Sequence, residues 1–205
     1  MDQSEPMDAF RGTSTADAGG AADRLWPLIR VRQVRQFTEE PVSDQELGAL
    51  ADVARWSGSS RNTQPWRFIV IREVQTIGAI AAASLPQTRS LVTASAAIAI
   101  TMPSQPGSAV SFAYDEGRAA ERILIGAHLL GLGAAIAWLV PDARPAVAAL
   151  LGLPAERSVR TIVALGHPSE AGARRKSAPG RARLPRDEVV FNERWPSETP
   201  GSRGD

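Results

Sequence analysis

The sequence predicts an α+β or α/β sandwich in which helices cover both faces of a central sheet. Helical apolar patterns alternate along the chain with short continuous apolar runs, and such runs are typical of strands covered on both faces. Gly and Pro residues separate these segments and mark the ends of the elements. The chain has 205 residues, which is long enough to bury one substantial core.

Each element is predicted from a local pattern. The first helix is expected over residues 25–31, ahead of an arginine-rich segment. Ser43 and Glu46 match a capping box, so a second helix should begin after Ser43 and run to about Trp56. Further helices are expected at 74–84, 114–132 and 144–151, and strands at 67–72, 95–102, 134–140 and 159–165. Gly131 and Gly133 should stop the longest helix.

The composition also separates a folded part from two polar ends. Residues 1–23 are rich in Asp, Ser, Thr, Gly and Ala with little apolar periodicity, which predicts a disordered N-terminal arm. Residues 197–205 have the same character and should form a flexible tail. We therefore expect one folded domain over residues 24–196.

Bulk properties narrow the function classes. The formal net charge is +1, so no overall field attracts nucleic acid or an anionic membrane. The lack of cysteine excludes disulfides, thiolate metal ligands and cysteine nucleophiles, and two histidines cannot by themselves form a common zinc site. The sequence has no secretory signal pattern and no apolar run of the roughly 20 residues that span a bilayer. These properties lead us to expect no metal and a cytoplasmic location.

The most informative segment is the polar run SGSSRNTQPWRF at residues 57–68. Gly58 permits a left-handed turn or close backbone approach to a ligand. Ser59, Ser60 and Asn62 offer hydroxyls and an amide that match the imide and carbonyl edge of a flavin ring. The simpler alternative is a loop whose polar side chains cap neighbouring elements.

Basic residues flank this run at both ends of the folded part. In an extended segment Gln33 and Arg35 share one face, and Arg32 lies beside them. Arg181 and Arg183 form a second basic pair. Arginine is well suited to a doubly charged phosphate, so the pattern predicts a phosphorylated, ring-bearing cofactor, with FMN as the best candidate. Taken alone, the first segment is more simply a solvated basic stretch that closes a helix.

Five motifs occur in one order between residues 29 and 195. They are RQVRQF at 32–37 followed by Pro41-Val42, SSRNTQPW at 59–66, DEGRA at 115–119 leading to Gly131-Leu132-Gly133, LGHP at 165–168, and RARLP at 181–185. In this order they resemble the FMN-dependent nitroreductase family of NAD(P)H:acceptor oxidoreductases. Each motif alone is weak, and the ordered set is specific.

The resemblance implies an α+β sandwich with a mostly antiparallel sheet, acting as a homodimer with FMN at the interface. It also implies that hydride from NADH or NADPH passes through flavin N5 to a small electron-poor acceptor, a nitroaromatic or a quinone, in ping-pong order. No catalytic side chain is required. The implied cofactor contacts are Arg32, Gln33, Arg35, Gly58, Ser59, Ser60, Asn62, Ile136, Ala137, Trp138, Leu139, Arg181 and Arg183, with a backbone N–H of the 136–139 stretch near N5.

Some positions depart from the family pattern, namely Val31, Gln33, Gly58 and Arg122. The first two stand where a basic residue and a Ser are usual, which would shift phosphate contacts to Arg30 or Arg32. The last two replace a Pro ahead of the hydroxyl loop and an Asn of the long helix. Arg89 is the candidate for a further ring contact.

Other assignments stay open at this stage. A dehalogenating or flavin-degrading relative would share the fold, although residues 87–111 leave little room for an extended lid. A non-enzymatic flavin-storage module is a second alternative, and nucleic-acid binding, which predicts steep salt dependence, is a third. For three residues we expect ordinary structural roles: His128 packed on its helix, Asp115 as a helix N-cap, and Trp66 in the core or at a subunit contact.

Overall fold

The computed structural model describes residues 18–104, 109–174 and 183–195. The helices are α1 (Ala18–Ile29), α2 (Asp44–Arg55), α3 (Val74–Ala83), α4 (Ala109–Leu129), α5 (Arg144–Leu150), α6 (Glu170–Ala173) and α7 (Arg186–Val189). The strands are β1 (Arg67–Ile71), β2 (Ala96–Pro103), β3 (Gly133–Trp138) and β4 (Arg157–Gly166). Short 3₁₀ turns occupy Ser60–Asn62, Arg89–Leu91 and Pro141–Ala143.

The chain separates into two compact units. Residues 27–174 make up the larger unit. The smaller unit includes the described residues 18–26 and 183–195. Within it Phe191 and Trp195 pack edge to face, with ring centroids 4.8 Å apart. The rest of the fold description concerns the larger unit.

The four strands form one antiparallel sheet in the order β1-β2-β4-β3. The central strand β4 sets the register of both its neighbours, because Val163 lies opposite Ile98 of β2 and Ile136 of β3. A bulge between Ile100 and Thr101 interrupts the β2–β4 ladder. An antiparallel sheet between helices makes the fold α+β, as the resemblance implies.

Helices cover both faces of the sheet, because alternate residues of β2 and β4 point to opposite sides. One face buries Ile98, Ile100, Val163 and Leu165 against α2 and α4, including Leu47, Leu50 and Ile123. The other face buries Ala97, Ala99, Ile162 and Ala164 against α3 and α5, including Ile77, Ile80 and Val147. The predicted two-sided sandwich is thus confirmed.

The predicted helix signals are confirmed at two ends. At the start of α2, the Ser43 hydroxyl accepts the Glu46 N–H at 3.2 Å, and the Ser43 N–H donates to the Glu46 carboxylate at 2.9 Å. At the end of α4, Gly131 takes φ +76°, and the Leu132 N–H bonds back to the Ala127 carbonyl at 2.8 Å. The second expected stop, Gly133, instead begins β3.

Three predicted elements differ from the structure. Helix α1 spans Ala18–Ile29 rather than 25–31, because the alanine-rich start favours helix despite its polar surroundings. Helix α4 begins at Ala109, five residues before the predicted start, and ends at Leu129. Strand β1 lies at the sheet edge with Val70 36% exposed, so it is not covered on both faces as its apolar run suggested.

Candidate cofactor site

The arginine-rich segment at residues 32–38 runs along β3 and the end of β4. The Val34 N–H donates to the Ala134 carbonyl at 2.8 Å, and the Thr38 N–H donates to the His167 carbonyl at 2.9 Å. Val34 and Phe37 are both 6% exposed and pack into the core. Backbone bonds and buried side chains therefore fix this segment, while the residues between them face outward.

Gln33 joins the segment to β3 through one atom. Its Oε1 accepts from Nη2 of Arg35 at 3.0 Å and from the Ile136 N–H at 3.2 Å. Gln33 and Arg35 therefore share a face, as the alternation predicts. The same bond brings the Arg35 guanidinium to the β3 edge, next to the 136–139 backbone expected at the cofactor.

Arg32 makes a different contact from the one expected of a phosphate ligand. Its Nη1 donates to the Gly172 carbonyl at 3.0 Å and its Nη2 to the Ala173 carbonyl at 2.7 Å. The guanidinium thus caps the C-terminal end of α6, where carbonyls lack intrahelical partners. These bonds use two of the five N–H groups of the guanidinium.

Only part of the 136–139 stretch can offer side chains. Ala137 and Leu139 are fully buried, whereas Ile136 is half-buried and Trp138 is 47% exposed. The Leu139 N–H donates across the sheet to the Arg160 carbonyl at 2.7 Å. Because strand amides alternate in direction, the N–H of Trp138 points away from β4, on the same side as that of Ile136.

The hydroxyl loop between α2 and β1 contains an unusual backbone. Arg61, Asn62 and Gln64 have φ of 52°, 56° and 48°, in the left-handed region that Asn tolerates better than most side chains. Within the loop the Asn62 N–H donates to the Ser59 carbonyl at 3.1 Å, and the Gln64 N–H donates to the Ser59 hydroxyl at 2.9 Å. The Ser59 hydroxyl thus has a capping role, as the simpler alternative proposed.

Helix α4 holds this loop from the protein side. The carboxylate of Asp115 accepts the Ser60 N–H at 3.1 and 3.2 Å, and its side chain is only 3% exposed. The prediction that Asp115 caps α4 is wrong, because the helix begins at Ala109. Its place in the DEGRA motif was the available signal, but no local pattern linked it to the loop.

Gly58 does not form a left-handed turn. Its lack of a side chain instead lets another group approach its backbone closely. It is not among the glycines of positive φ, and a Cβ there would lie 2.2 Å from Nη2 of Arg118. The approaching group is therefore an arginine of α4. A second arginine of this helix, Arg122, donates to the Trp56 carbonyl at 3.1 Å and so caps the end of α2.

The remaining candidates have structural surroundings. Trp66 is 4% exposed in the core, which confirms that prediction. His128 is half-buried, and its pKa is lowered by burial first and then by Arg30 and Arg32. Arg89 is exposed on a 3₁₀ turn.

Sequence reasoning missed an ion pair between a buried carboxylate and an arginine whose side chain is 41% exposed. The Glu116 carboxylate on α4 binds the Arg160 guanidinium on β4. The second oxygen of Glu116 is buried, and no hydrogen-bond partner for it lies among the described residues. The pair ties α4 to the sheet close to Leu139, which bonds the Arg160 carbonyl.

The structure describes only one residue of the late basic pair. Arg181 lies outside the described residues, and Arg183 belongs to the smaller unit.

Among the described residues, no helix has the length and apolar character that a membrane span requires. Over those same residues no three His, Asp or Glu side chains gather in a group that could hold a metal ion.

Comparison with known proteins agrees with this architecture. The nitroreductase family model matches residues 30–101. The chain is 29% identical over 146 residues to a relative named "Putative NADH dehydrogenase/NAD(P)H nitroreductase" from Archaeoglobus fulgidus, covering 68% of this chain and 82% of that protein. It is also 29% identical over 184 residues to an NADH dehydrogenase from Thermus thermophilus, covering 73% and 89%.

Solved structures share the fold. An FMN-dependent nitroreductase from Clostridium difficile superposes with a TM-score of 0.68 at 23% identity, covering 81% of this chain and 97% of that one. The fold and the ordered motifs define the class, an α+β sandwich of the nitroreductase type. The chain is therefore similar to proteins named as nitroreductases, both in sequence and in fold.

Proposed function

We propose that the protein is an FMN-dependent oxidoreductase that passes hydride from NADH or NADPH to a small electron-poor acceptor, a nitroaromatic or a quinone, in ping-pong order. Bound FMN would supply the redox chemistry at its N5 atom. The observation that carries the proposal is the junction at Gln33, whose Oε1 joins the Arg35 guanidinium to the Ile136 N–H. The Arg35 guanidinium therefore lies next to the backbone amides of β3 that point away from β4.

The donors at this junction suit a flavin. Arg35 offers a cation for the pyrimidine edge of the ring, and a positive charge there favours a reduced, anionic ring. The outward N–H of Trp138 is the best candidate for the contact near N5, because the N–H of Ile136 already binds Gln33. Ser60 and Asn62 are exposed on the loop and offer a hydroxyl and an amide to the ring edge.

Phosphate binding is assigned to arginines on the basis of charge. Arg32 is the candidate of the first segment, because Arg35 is assigned to the ring edge, and the guanidinium of Arg32 has more N–H groups than the two that donate to Gly172 and Ala173. Arg181 and Arg183 remain proposed as the second basic pair. Several charge-assisted donors are expected around a doubly charged phosphate.

We further propose a homodimer with the cofactor at the interface. The exposed side of α4 and its C-terminal end carry Val110 at 73%, Tyr114 at 73% and Leu129 at 64% exposure. The neighbouring Trp56 is 71% exposed. Val110 and Leu129 lie near opposite ends of α4, so exposed apolar side chains occur along the length of the helix, which favours a partner surface over bulk water.

The absorbance spectrum of the purified protein tests the proposal directly. We expect the visible bands of oxidised flavin, release of FMN on denaturation, and anaerobic bleaching by NADH or NADPH. Addition of a nitroaromatic or a quinone should then restore the bands. A colourless protein that takes up no added FMN contradicts the proposal, and bound FMN that neither nicotinamide bleaches favours storage instead.

A further inference from the structure

The hydroxyl loop rests on α4 at two neighbouring points. The Ser60 N–H is shared by the two carboxylate oxygens of Asp115, at 3.1 and 3.2 Å. Two residues earlier, the Arg118 guanidinium lies against Gly58, where a Cβ would come within 2.2 Å of it. Asp115 and Arg118 are one helical turn apart, so a single stretch of α4 supports both points.

The Asp115 carboxylate is buried where it binds the loop. Its side chain is 3% exposed, and Nη1 of the 57%-exposed Arg118 stands 3.9 Å from its Oδ1. A buried carboxylate is costly unless donors reach it. The loop amide of Ser60 is such a donor, so the carboxylate and the loop conformation stabilise each other.

The loop needs such support because of its backbone. Arg61, Asn62 and Gln64 all have left-handed φ, and such conformations persist where surrounding contacts determine them. Ser60 is the first residue of the 3₁₀ turn that leads into them. The Asp115 bond therefore acts at the entry to the strained segment.

We propose that Asp115 is a positioning residue for the cofactor, supported by Arg118. The pair holds the loop of residues 57–64 in the shape that presents Ser60 and Asn62 to the ring. This inference rests on the proposed function, because the loop matters to catalysis only if a flavin binds it. Asp115 does not itself touch the cofactor.

Two substitutions break the bond from opposite sides. Asp115→Ala removes the acceptor. Ser60→Pro removes the donor and leaves the carboxylate in place, and the site suits proline because the preceding Ser59 is extended, with φ −135° and ψ 160°, and Ser60 opens the turn. Asp115→Asn retains a carbonyl oxygen that can accept the same N–H and serves as the conservative rescue. Ser60→Ala retains the N–H and removes only the hydroxyl, so it is the control for Ser60→Pro. Asp44→Ala, at an exposed position at the start of α2, is the control outside the proposed site.

Hydrogen exchange of residues 57–66, measured by mass spectrometry without cofactor, reports the loop directly. We expect exchange at least about tenfold faster in Asp115→Ala and Ser60→Pro, since a hydrogen bond to a charged group is lost. Their dissociation constants for FMN should rise by about tenfold or more. Asp115→Asn should stay within about threefold of the parent chain, and Asp44→Ala should match it. Ser60→Ala should keep the loop exchange of the parent and bind FMN more tightly than Ser60→Pro does.

The two readouts separate the possible failures. A parent chain that binds no FMN overturns the proposed function, while loop exchange still tests the role of Asp115 in ordering the loop. Unchanged exchange and FMN affinity in both variants would overturn the positioning role. If Asp115→Ala does not fold, the comparison of Ser60→Pro with Ser60→Ala decides. A lowered thermal unfolding midpoint with unchanged FMN affinity in the folded variants points to a purely structural carboxylate and also overturns it.

Discussion

The two parts of the proposed site are held in different ways. The segment of residues 32–38 is fixed by backbone bonds, from Val34 to Ala134 and from Thr38 to His167. The loop of residues 57–64 instead depends on side chains of α4. When backbone hydrogen bonds fix a segment, its outward-facing side chains can be substituted without moving the segment. When one carboxylate holds a loop, substitution of that carboxylate changes the conformation of the loop.

This difference decides what a substitution measures. Arg35 is outward-facing and partly buried, and it bonds Gln33 without carrying the segment's backbone bonds. A change at Arg35 should therefore report ligand binding rather than folding. A change at a glycine packed against the segment should do the opposite.

The largest effect is expected for charge reversal at Arg35. Arg35→Glu removes a forked cation and places a carboxylate near the proposed pyrimidine edge of the ring, so FMN affinity should fall by about a hundredfold or more. The unfolding midpoint should change little, because the backbone bonds remain. Fluorescence titration of FMN and thermal unfolding measure the two quantities.

The matched control is Arg72→Glu. Arg72 lies exposed after the end of β1, where it pairs with Asp44 at 3.1 Å, so its reversal changes the net charge equally outside the proposed site. FMN affinity in this variant should stay near that of the parent. Equal weakening in both variants would mean that the net charge, and not Arg35, governs binding.

Gly172→Ala should produce the largest loss of stability. A Cβ at Gly172 would lie 2.1 Å from the backbone carbonyl oxygen of Gln36, and a backbone atom cannot move aside as a flexible side chain can. Overpacking of this kind costs about 1–3 kcal/mol of unfolding free energy, measurable by urea denaturation. Gly48→Ala, in the interior of α2 with nothing within 4 Å, should instead gain up to about 1 kcal/mol. Equal stability in the two variants would show that the segment is free to shift.

The same contrast explains what the sequence could predict. The capping box of Ser43 and Glu46 and the helix stop at Gly131 depend on residues within one or two turns, so local patterns predicted them. The sharing of a face by Gln33 and Arg35 follows from alternation alone. Expectations about the cofactor loop came from composition and from the family resemblance.

Long-range partners could not be predicted from local patterns. Gln33 meets Ile136 across 103 positions, and Ser60 meets Asp115 across 55. Nothing in either local sequence specifies the partner, because the sheet and α4 bring the residues together only after folding. Asp115 looked like a helix cap for this reason, since a polar residue ahead of an apolar stripe is a typical helix start.

Removal of the Gln33 acceptor should have an intermediate effect. Gln33→Leu leaves the Ile136 N–H without its partner and releases the Arg35 guanidinium, so unfolding free energy should fall by about 1–2 kcal/mol and FMN affinity by about tenfold. Gln36→Leu repeats the substitution at an exposed position of the same segment and should change neither. If Gln33→Leu binds FMN as tightly as the parent, the junction is not part of the cofactor site.

The smallest expected effect is a change in the pKa of His128 on α4. Its measurement tests whether the arginine segment lies beside α4, the helix that holds the loop. The pKa of His128 on α4 is lowered from 6.5 by burial first, then by Arg30, then by Arg32. Because the folded-state pKa lies below the unfolded value, the folded state loses stability as the pH falls from about 6.5 towards the folded value. Arg32→Ala should raise the pKa of His128 and so reduce the stability that the folded state loses at low pH. The increase in pKa should be smaller than the increase that Arg30→Ala causes.

NMR titration of the imidazole protons measures this shift. Arg32→Lys retains the charge and should leave the pKa of His128 close to that of the parent, which separates the electrostatic effect from the loss of the Arg32 bonds to α6. A pKa of His128 that does not respond to Arg32→Ala would mean that the segment and the helix are electrostatically separate, so that the two parts of the site could be altered independently.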